Sequence, residues 1–436
     1  MLAAPLLVLG ALLACTAPSG GSVRHAPGSD GGADGGSSGG DGGGANTTDG
    51  GGLSDGGLSD GGTDGGTDGG GDVEISGELR GVWLTRYEWA TTSTTATDLQ
   101  TTMQQIADAG FNAVFFQVRG TYDAYYDSSL EPWSSRLSGT LGQDPGWDPL
   151  AVAVQAAHDN GLQLHAYINV MPLWMGTDPP ASTGLPHAWQ EHPDWVEADS
   201  SGTPMALNSS YVFASPGNPQ VRSRVAAVAA DIAGHDAVDG IHLDYIRYPG
   251  SSYSHDAVSV AQYASDTATG GPWAGLSWGD WEREMIKDTV RQVSAAVSVP
   301  VTAAVWGIHT NEWGWSGVSQ GNADYYQDSR AFLSEGLLDA NIPMAYWPVT
   351  ANEGDPLDFR VITRDHVAHA AGRHVYMGIG TYDIGYDETV RCIQVAREEG
   401  AQGVVVFSWS TIKDHGADLR AGVFAEPALP PDMPWR

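Results

Sequence analysis

Eight short apolar runs, each followed by an amphipathic stretch, recur through the last four-fifths of the chain and leave few folds open. They fall at residues 81–85, 112–118, 162–168, 240–243, 299–305, 338–346, 375–379 and 403–409. They are nearly continuous rather than alternating. Strands buried on both faces read this way, and antiparallel sheets with one wet face do not.

The stretches between the runs carry helix start and stop signals. Thr97-Asp98 opens 99–109 and Gly110 closes it. Asp148-Pro149 opens a helix that ends at Asn160-Gly161, and Asn218-Pro219 opens 221–233, closed by Gly234. Asx and Thr caps, first-turn prolines and terminal glycines are the expected punctuation. Further helices fit 278–297, 324–336, 358–371 and 387–399. The eighth, 418–424, is short, and the proline-rich tail cannot extend it. Eight strand–helix units predict an α/β fold, a (β/α)8 TIM barrel over residues 79–426, with a tail at 427–436.

Composition explains what precedes the barrel. Residues 16–78 hold 25 of the 58 glycines and almost no large apolar side chains. Nothing there can offset chain entropy, so a disordered, acidic Gly/Asp/Ser-rich linker is expected. A calcium-binding repeat would need a nine-residue period with a fixed apolar position, which the stretch lacks. Residues 1–14 are apolar, too short to span a bilayer, and read as a secretory signal peptide. Leu12-Leu13-Ala14-Cys15 resembles a bacterial lipobox, although no Lys or Arg precedes it. This implies a lipoprotein, anchored to a membrane through lipidation of Cys15. Thr16, where an Asp would favour inner-membrane retention, points to the outer membrane of a Gram-negative cell envelope.

The net charge of −33, with only two lysines, argues against nucleic acid. Beyond Cys15 the sole cysteine is Cys392, which sits in a helical pattern and reads as a buried small hydrophobe. No Gly-x-Ser-x-Gly follows a strand and no His-Glu-x-x-His occurs. His165, His242, His309 and Asp244 are the side chains a metal would use. With no metal motif among them, neither a metal nor another cofactor is expected.

Barrel chemistry lies at the C-terminal ends of the strands. Asp244 follows the buried run 240–243 directly. Carboxylates are rarely buried alone, and Arg247 is near enough to pair with it. A structural Asp–Arg pair at the rim is the plainer alternative to a catalytic carboxylate. Other strand ends supply Glu88, Arg119, Asp123, His165, Asn169, Glu312, Tyr346, Trp347, Asp383 and Trp409. The chain has 16 tryptophans, several in polar loops, and flat rings with a polar edge suit sugars. Glycoside cleavage needs two carboxyl groups. Asp244 is taken as the anionic partner, while Glu88, Asp123, Glu312 and Asp383 remain open for the acid.

These segments have a family likeness. Arg80-Gly81-Val82-Trp83-Leu84-Thr85, residues 111–119, Glu131-Pro132-Trp133, residues 144–150, 161–169 and 239–249 resemble the family-ten-like glycosyl hydrolases. That group includes a bacterial lipoprotein that cleaves denuded peptidoglycan glycan strands. The resemblance implies a barrel, a polysaccharide substrate, and a cleft in or near which Arg119, Asp123, His165, Asn169, Asp244 and Arg247 lie. Many members carry two aspartates where this chain has Asp244-Tyr245, which leaves Asp244 as the surviving carboxylate. The functional expectation is an envelope glycoside hydrolase acting on peptidoglycan glycan or another envelope polysaccharide. The alternative is a lipid-anchored, non-catalytic glycan-binding protein.

Overall fold

All eight apolar runs are strands. A computed structural model describes residues 76–235, 237–350 and 357–436. The expected signal peptide, Cys15 and the expected linker up to residue 75 lie outside the described residues. The strands are β1 (Leu79–Leu84), β2 (Ala113–Arg119), β3 (Gln163–Asn169), β4 (Gly240–Asp244), β5 (Val301–Trp306), β6 (Ala340–Met344), β7 (His374–Gly380) and β8 (Gly403–Phe407). They close in chain order into one parallel barrel, β8 pairing with β1. The fold is a (β/α)8 TIM barrel.

The principal helices are α1 (Ala96–Asp108), α2 (Pro149–Asp159), α3 (Pro219–His235), α4 (Trp278–Ala296), α5 (Ser329–Ser334), α6 (Phe359–Ala368), α7 (Thr381–Glu398) and α8 (Gly416–Ala421). Their starts follow capping chemistry. Asp148 Oδ1 accepts from the amides of Leu150 and Ala151, with Pro149 in the first turn. Helix α1 begins earlier than the sequence pattern suggests, because Thr95 and Asp98 exchange side-chain and backbone bonds in a capping box.

Helix 324–336 is not continuous. Tyr326 adopts a left-handed φ of 53°, and only α5 is helical beyond it. Gln327 explains the interruption: its Oε1 accepts from the Trp306 amide at 2.7 Å and its Nε2 donates to the Ile246 carbonyl at 3.1 Å. Bonds to the end of β5 and to the segment just past β4 override the local helical preference. Helix α7 starts at Thr381, well before the expected 387, and turns sharply at Gly385, whose φ is 78°.

Three features had no clear sequence signal. An antiparallel hairpin joins Pro172–Gly176 to Asn208–Phe213, and a helix spans Ala257–Asp266. Ser76–Gly77 pairs with Ala428–Leu429, so the folded part starts before Leu79 and the C-terminal segment packs on it. Trp435 and Arg436 bond to Asp339.

Two cores result. An outer one fills the space between strands and helices, and an inner one fills the barrel with Trp83, Phe115, Tyr167, Ile342, Tyr376 and Val405 among others. Inward residues alternate along each strand, as the pleat requires. A Cβ on Gly240 would fall 2.3 Å from His165 Nδ1, so only glycine leaves room for that ring in the barrel centre.

Candidate active site

The barrel interior is plugged below and open above. Phe115 stacks on His165 with centroids 4.8 Å apart, and the Trp83 indole N–H donates to His242 Nε2 at 3.0 Å. His242 Nδ1 faces Thr302 Oγ1 at 2.9 Å. The Trp83 bond requires an unprotonated Nε2, so His242 carries its proton on Nδ1. Above this floor a cleft of about 350 Å³ opens at the C-terminal strand ends.

Asp244 ends β4 in the wall of the cleft. Its Oδ2 accepts the Tyr167 hydroxyl at 2.7 Å, and its Oδ1 accepts the Tyr245 amide at 2.6 Å. Arg247 Nη1 lies 3.9 Å from Oδ1, and its guanidinium covers the Tyr245 ring at 4.4 Å. Burial pushes the Asp244 carboxyl above the ordinary aspartate range, and Arg247, Tyr167, the Tyr245 N–H and Arg86 pull it back only in part. Tyr245 holds a left-handed φ of 53°, a costly conformation for an aromatic residue. That turn carries the chain away from the strand while Asp244 still faces inward.

Glu88 enters from the β1 side and is tied down at both oxygens. Oε2 accepts from the Thr85 amide at 2.6 Å; Oε1 accepts from Ser408 Oγ at 2.8 Å and the Ser410 amide at 2.6 Å. It thus joins the loops after β1 and β8 while lining the same cleft as Asp244. Between them runs a polar relay. The Arg86 amide donates to Gln117 Oε1 at 2.9 Å, and Gln117 Nε2 donates to Asn169 Oδ1 at 3.0 Å. Asn169 Nδ2 is then left buried with no acceptor among the described residues. A buried donor without a partner is costly, so its placement in the cleft wall marks a position for a ligand oxygen.

The sequence matches the family model described as Glycosyl hydrolase-like 10 over residues 78–392, nearly the whole barrel. The chain belongs to the glycosyl hydrolase-like 10 family. It is 26% identical over 391 residues to "Glycosyl hydrolase YngK" of Bacillus subtilis (strain 168), spanning 82% of this chain and 74% of that protein. It is 27% identical over 351 residues to "Glycosyl hydrolase DigH" of Escherichia coli (strain K12), spanning 72% and 75%. Among solved structures, the PgaB (BpsB) glycoside hydrolase domain of Bordetella bronchiseptica superposes with a TM-score of 0.56 at 15% identity. That match covers 81% of this chain and 99% of the domain, and the likeness is one of fold. Family membership, with two carboxyl groups in one barrel mouth, places the chain among the glycoside hydrolases.

Within this glycosyl hydrolase-like 10 barrel, the residues singled out from sequence divide into two groups. Asp244, Glu88, Asn169 and Tyr346 line the cleft, and Arg247 lies against Asp244. The others lie elsewhere. Arg119 is fully buried in a bidentate pair with Glu131, 2.7 Å at each nitrogen, and donates to the carbonyls of Asn169 and Val170. It braces the turn after β3 rather than facing the cleft. Asp123 accepts from the Thr121 amide at 2.6 Å, closing its own loop beside Arg86. Glu312 is an exposed partner of Arg330 at 3.0 Å, and Asp383 is exposed in the first turn of α7. His165 points inward but below the cleft, where burial brings its imidazole down to about 4 and keeps it neutral.

The tryptophan platform also differs from expectation. Trp347 packs over Gly307 and Trp409 against Phe111, both outside the cleft. The aromatic surface is instead mainly tyrosine: Tyr87, Tyr167, Tyr211, Tyr245, Tyr346 and Tyr382, with Trp83 and Phe407. Tyr211 comes from the hairpin that the sequence pattern did not reveal. Arg86 was findable, because it follows β1 as Asp244 ends β4. Among the described residues no three His, Cys, Asp or Glu side chains converge as a metal site would need.

Proposed function

We propose that this protein is a cell-envelope glycoside hydrolase that cuts peptidoglycan glycan strands, or another envelope polysaccharide, by carboxylate acid/base chemistry. The observation that supports this most is Asp244, sunk in an aromatic-lined cleft where burial raises its carboxyl above the ordinary aspartate range. A carboxyl shifted in this direction is better suited than a solvated aspartate to pass a proton to a leaving glycosidic oxygen. This alters the role read from sequence, where Asp244 was taken as the anion. Glu88 lines the same cleft, its two oxygens accepting from Thr85, Ser408 and Ser410. In this reading it is the second group, reached from across the barrel mouth, facing the positive charge that develops at the anomeric carbon. The tyrosines stack on sugar faces, and Asn169 Nδ2 holds a hydroxyl or acetamido oxygen.

The envelope location rests on the lipobox-like Cys15 and the acidic linker. Labelling cells with a fatty-acid probe tests it: label on wild type and none on Cys15→Ser supports the anchor, and equal label on both contradicts it.

The polymer is tested by mass spectrometry of fragments released by the full chain from purified peptidoglycan, with and without stem peptides. Sugar fragments from the peptide-free strands support the reading. Release from neither peptidoglycan form, alongside release from another envelope polysaccharide, moves the substrate there. Binding without release from any polymer supports the non-catalytic alternative.

A further inference from the structure

The protein is acidic, and nearly all of its arginines are neutralised. Apart from Arg86, Arg136 and Arg420, every described arginine has a carboxylate oxygen within 4.0 Å. Arg420 gives its guanidinium to the carbonyls of Phe424 and Ala425. The other two both line the cleft, close to the ring of one phenol, Tyr87. The Arg86 guanidinium lies 4.5 Å from the Tyr87 ring centroid and that of Arg136 lies 4.8 Å from it.

Their hydrogen bonds differ. Arg86 Nη2 donates to the hydroxyls of Tyr87 at 2.9 Å and Tyr211 at 2.7 Å, which fixes it and the Tyr87 ring. The Arg136 side chain makes no hydrogen bond to a described residue, and its Nε is buried without an acceptor. Arg136 sits in the one-turn helix Ser135–Ser138, whose cap is Ser134, so its backbone is fixed while its guanidinium has no acceptor among the described residues. Two like charges near one ring repel, and a buried N–H without an acceptor adds a further cost. An anion in the cleft at this point, met by the terminal nitrogens of Arg136, relieves the repulsion between the two charges. A planar guanidinium matches a carboxylate through two parallel bonds.

We propose that Arg136 is the specificity residue of this cleft and that it reads a carboxylate carried on the substrate's sugar. The proposal deepens the glycan-cleaving reading and rests on it. The substrate is an acidic glycan, its carboxylate supplied by a lactyl ether or by a uronic acid. Strands on which that carboxyl is tied up as an amide lack the charge Arg136 recognises.

Binding tests this without depending on turnover. The full chain carrying Asp244→Asn is titrated with peptide-free peptidoglycan strands and with the same strands after amidation of their lactyl carboxyls. A parallel pair uses a glucuronate polymer and its carboxyl-reduced form, which separates the two sources of carboxylate. The expected result is roughly 10- to 100-fold tighter binding to the acidic member of one pair, the size of a charge-assisted bond. Adding Arg136→Gln shrinks that ratio to about twofold or less, while Arg136→Lys keeps part of it, and both variants melt as the parent does. A ratio unchanged by Arg136→Gln overturns the proposal, as does the absence of a preference in both pairs. Preferred binding of the acidic strands by a wild type that releases no fragments supports the role of Arg136 and removes the hydrolase reading instead.

Discussion

The Tyr167 hydroxyl donates to Asp244 Oδ2 at 2.7 Å, reaching along the barrel wall from β3 to the end of β4. In the strand register Tyr167 stands beside His242, and Asn169 stands beside Asp244. The phenol therefore reaches up one layer, from the packed barrel interior to the cleft. It links the part of the barrel that provides rigidity to the carboxyl group assigned the chemistry.

Tyr167→Phe removes a donor that holds the Asp244 carboxyl down. With burial unopposed by this bond, the carboxyl should shift further up, and the pH–rate limb that reports Asp244 should move to higher pH. A fall in kcat/KM of about tenfold at the wild-type optimum is expected, from the loss of one hydrogen bond of about 1–1.5 kcal/mol. The pH profile of both proteins checks this, and an unmoved limb counts against the coupling.

Asp244→Asn should cost activity and not stability. The folded carboxyl is raised above its unfolded value, so its contribution to stability is fully present at low pH and is lost as pH rises through the folded value. An uncharged amide escapes that loss. The variant should melt at or above the wild-type temperature at pH 7, with the difference narrowing toward pH 3. Thermal unfolding at both pH values measures it; a lower melting temperature at pH 7 shows that Asp244 is a structural strut.

Arg119 should behave in the opposite way. Its pair with Glu131 is buried on both sides, and Arg119→Ala strands Glu131 as an unpaired charge. The expected loss is about 3–5 kcal/mol of unfolding free energy. Denaturant titration should show this, while the activity of the molecules that remain folded stays near wild type. A large kcat defect with unchanged stability would return Arg119 to the binding site.

Glu282 sets an alkaline limit on the fold. It is buried in α4, and burial, the largest influence, pushes its carboxyl up to about 8 against Tyr326, Trp278 and Arg283. A raised folded value means stability that is present below about pH 4.5 and lost as pH climbs through 8. Glu282→Gln should flatten that decline, raising the melting temperature at pH 8 by at least about 2 °C. Parallel pH–melting curves for the two proteins contradict the assignment.

The barrel was legible because its strands are buried on both faces, which writes each one as an apolar run bounded by caps and glycines. Asp244 was legible for the same reason, as a charge at the end of such a run. Arg119 follows the identical pattern and has a different fate, because Glu131, twelve residues on, folds back over it. Strand position tells which residues reach the rim, but not what the loops bring to them. Asp123 and Glu312 fail on the same ground, Asp123 satisfied within its own loop by Thr121 and Glu312 by Arg330 of α5. The tyrosine wall depends on Tyr211 in a hairpin some forty residues past β3, so its place in the cleft is a tertiary fact. His165 shows the limit of depth: it lies on the inward face, as expected, but a layer too low to meet a ligand.

The most direct measurement is a side-by-side digestion of peptide-free peptidoglycan strands by the full chain and its Asp244→Asn variant, with the released sugars counted by mass spectrometry. Fragments from wild type, at least about 100-fold fewer from the variant, and undiminished binding by that variant are expected if Asp244 transfers the proton. Equal release by the two proteins would contradict that role.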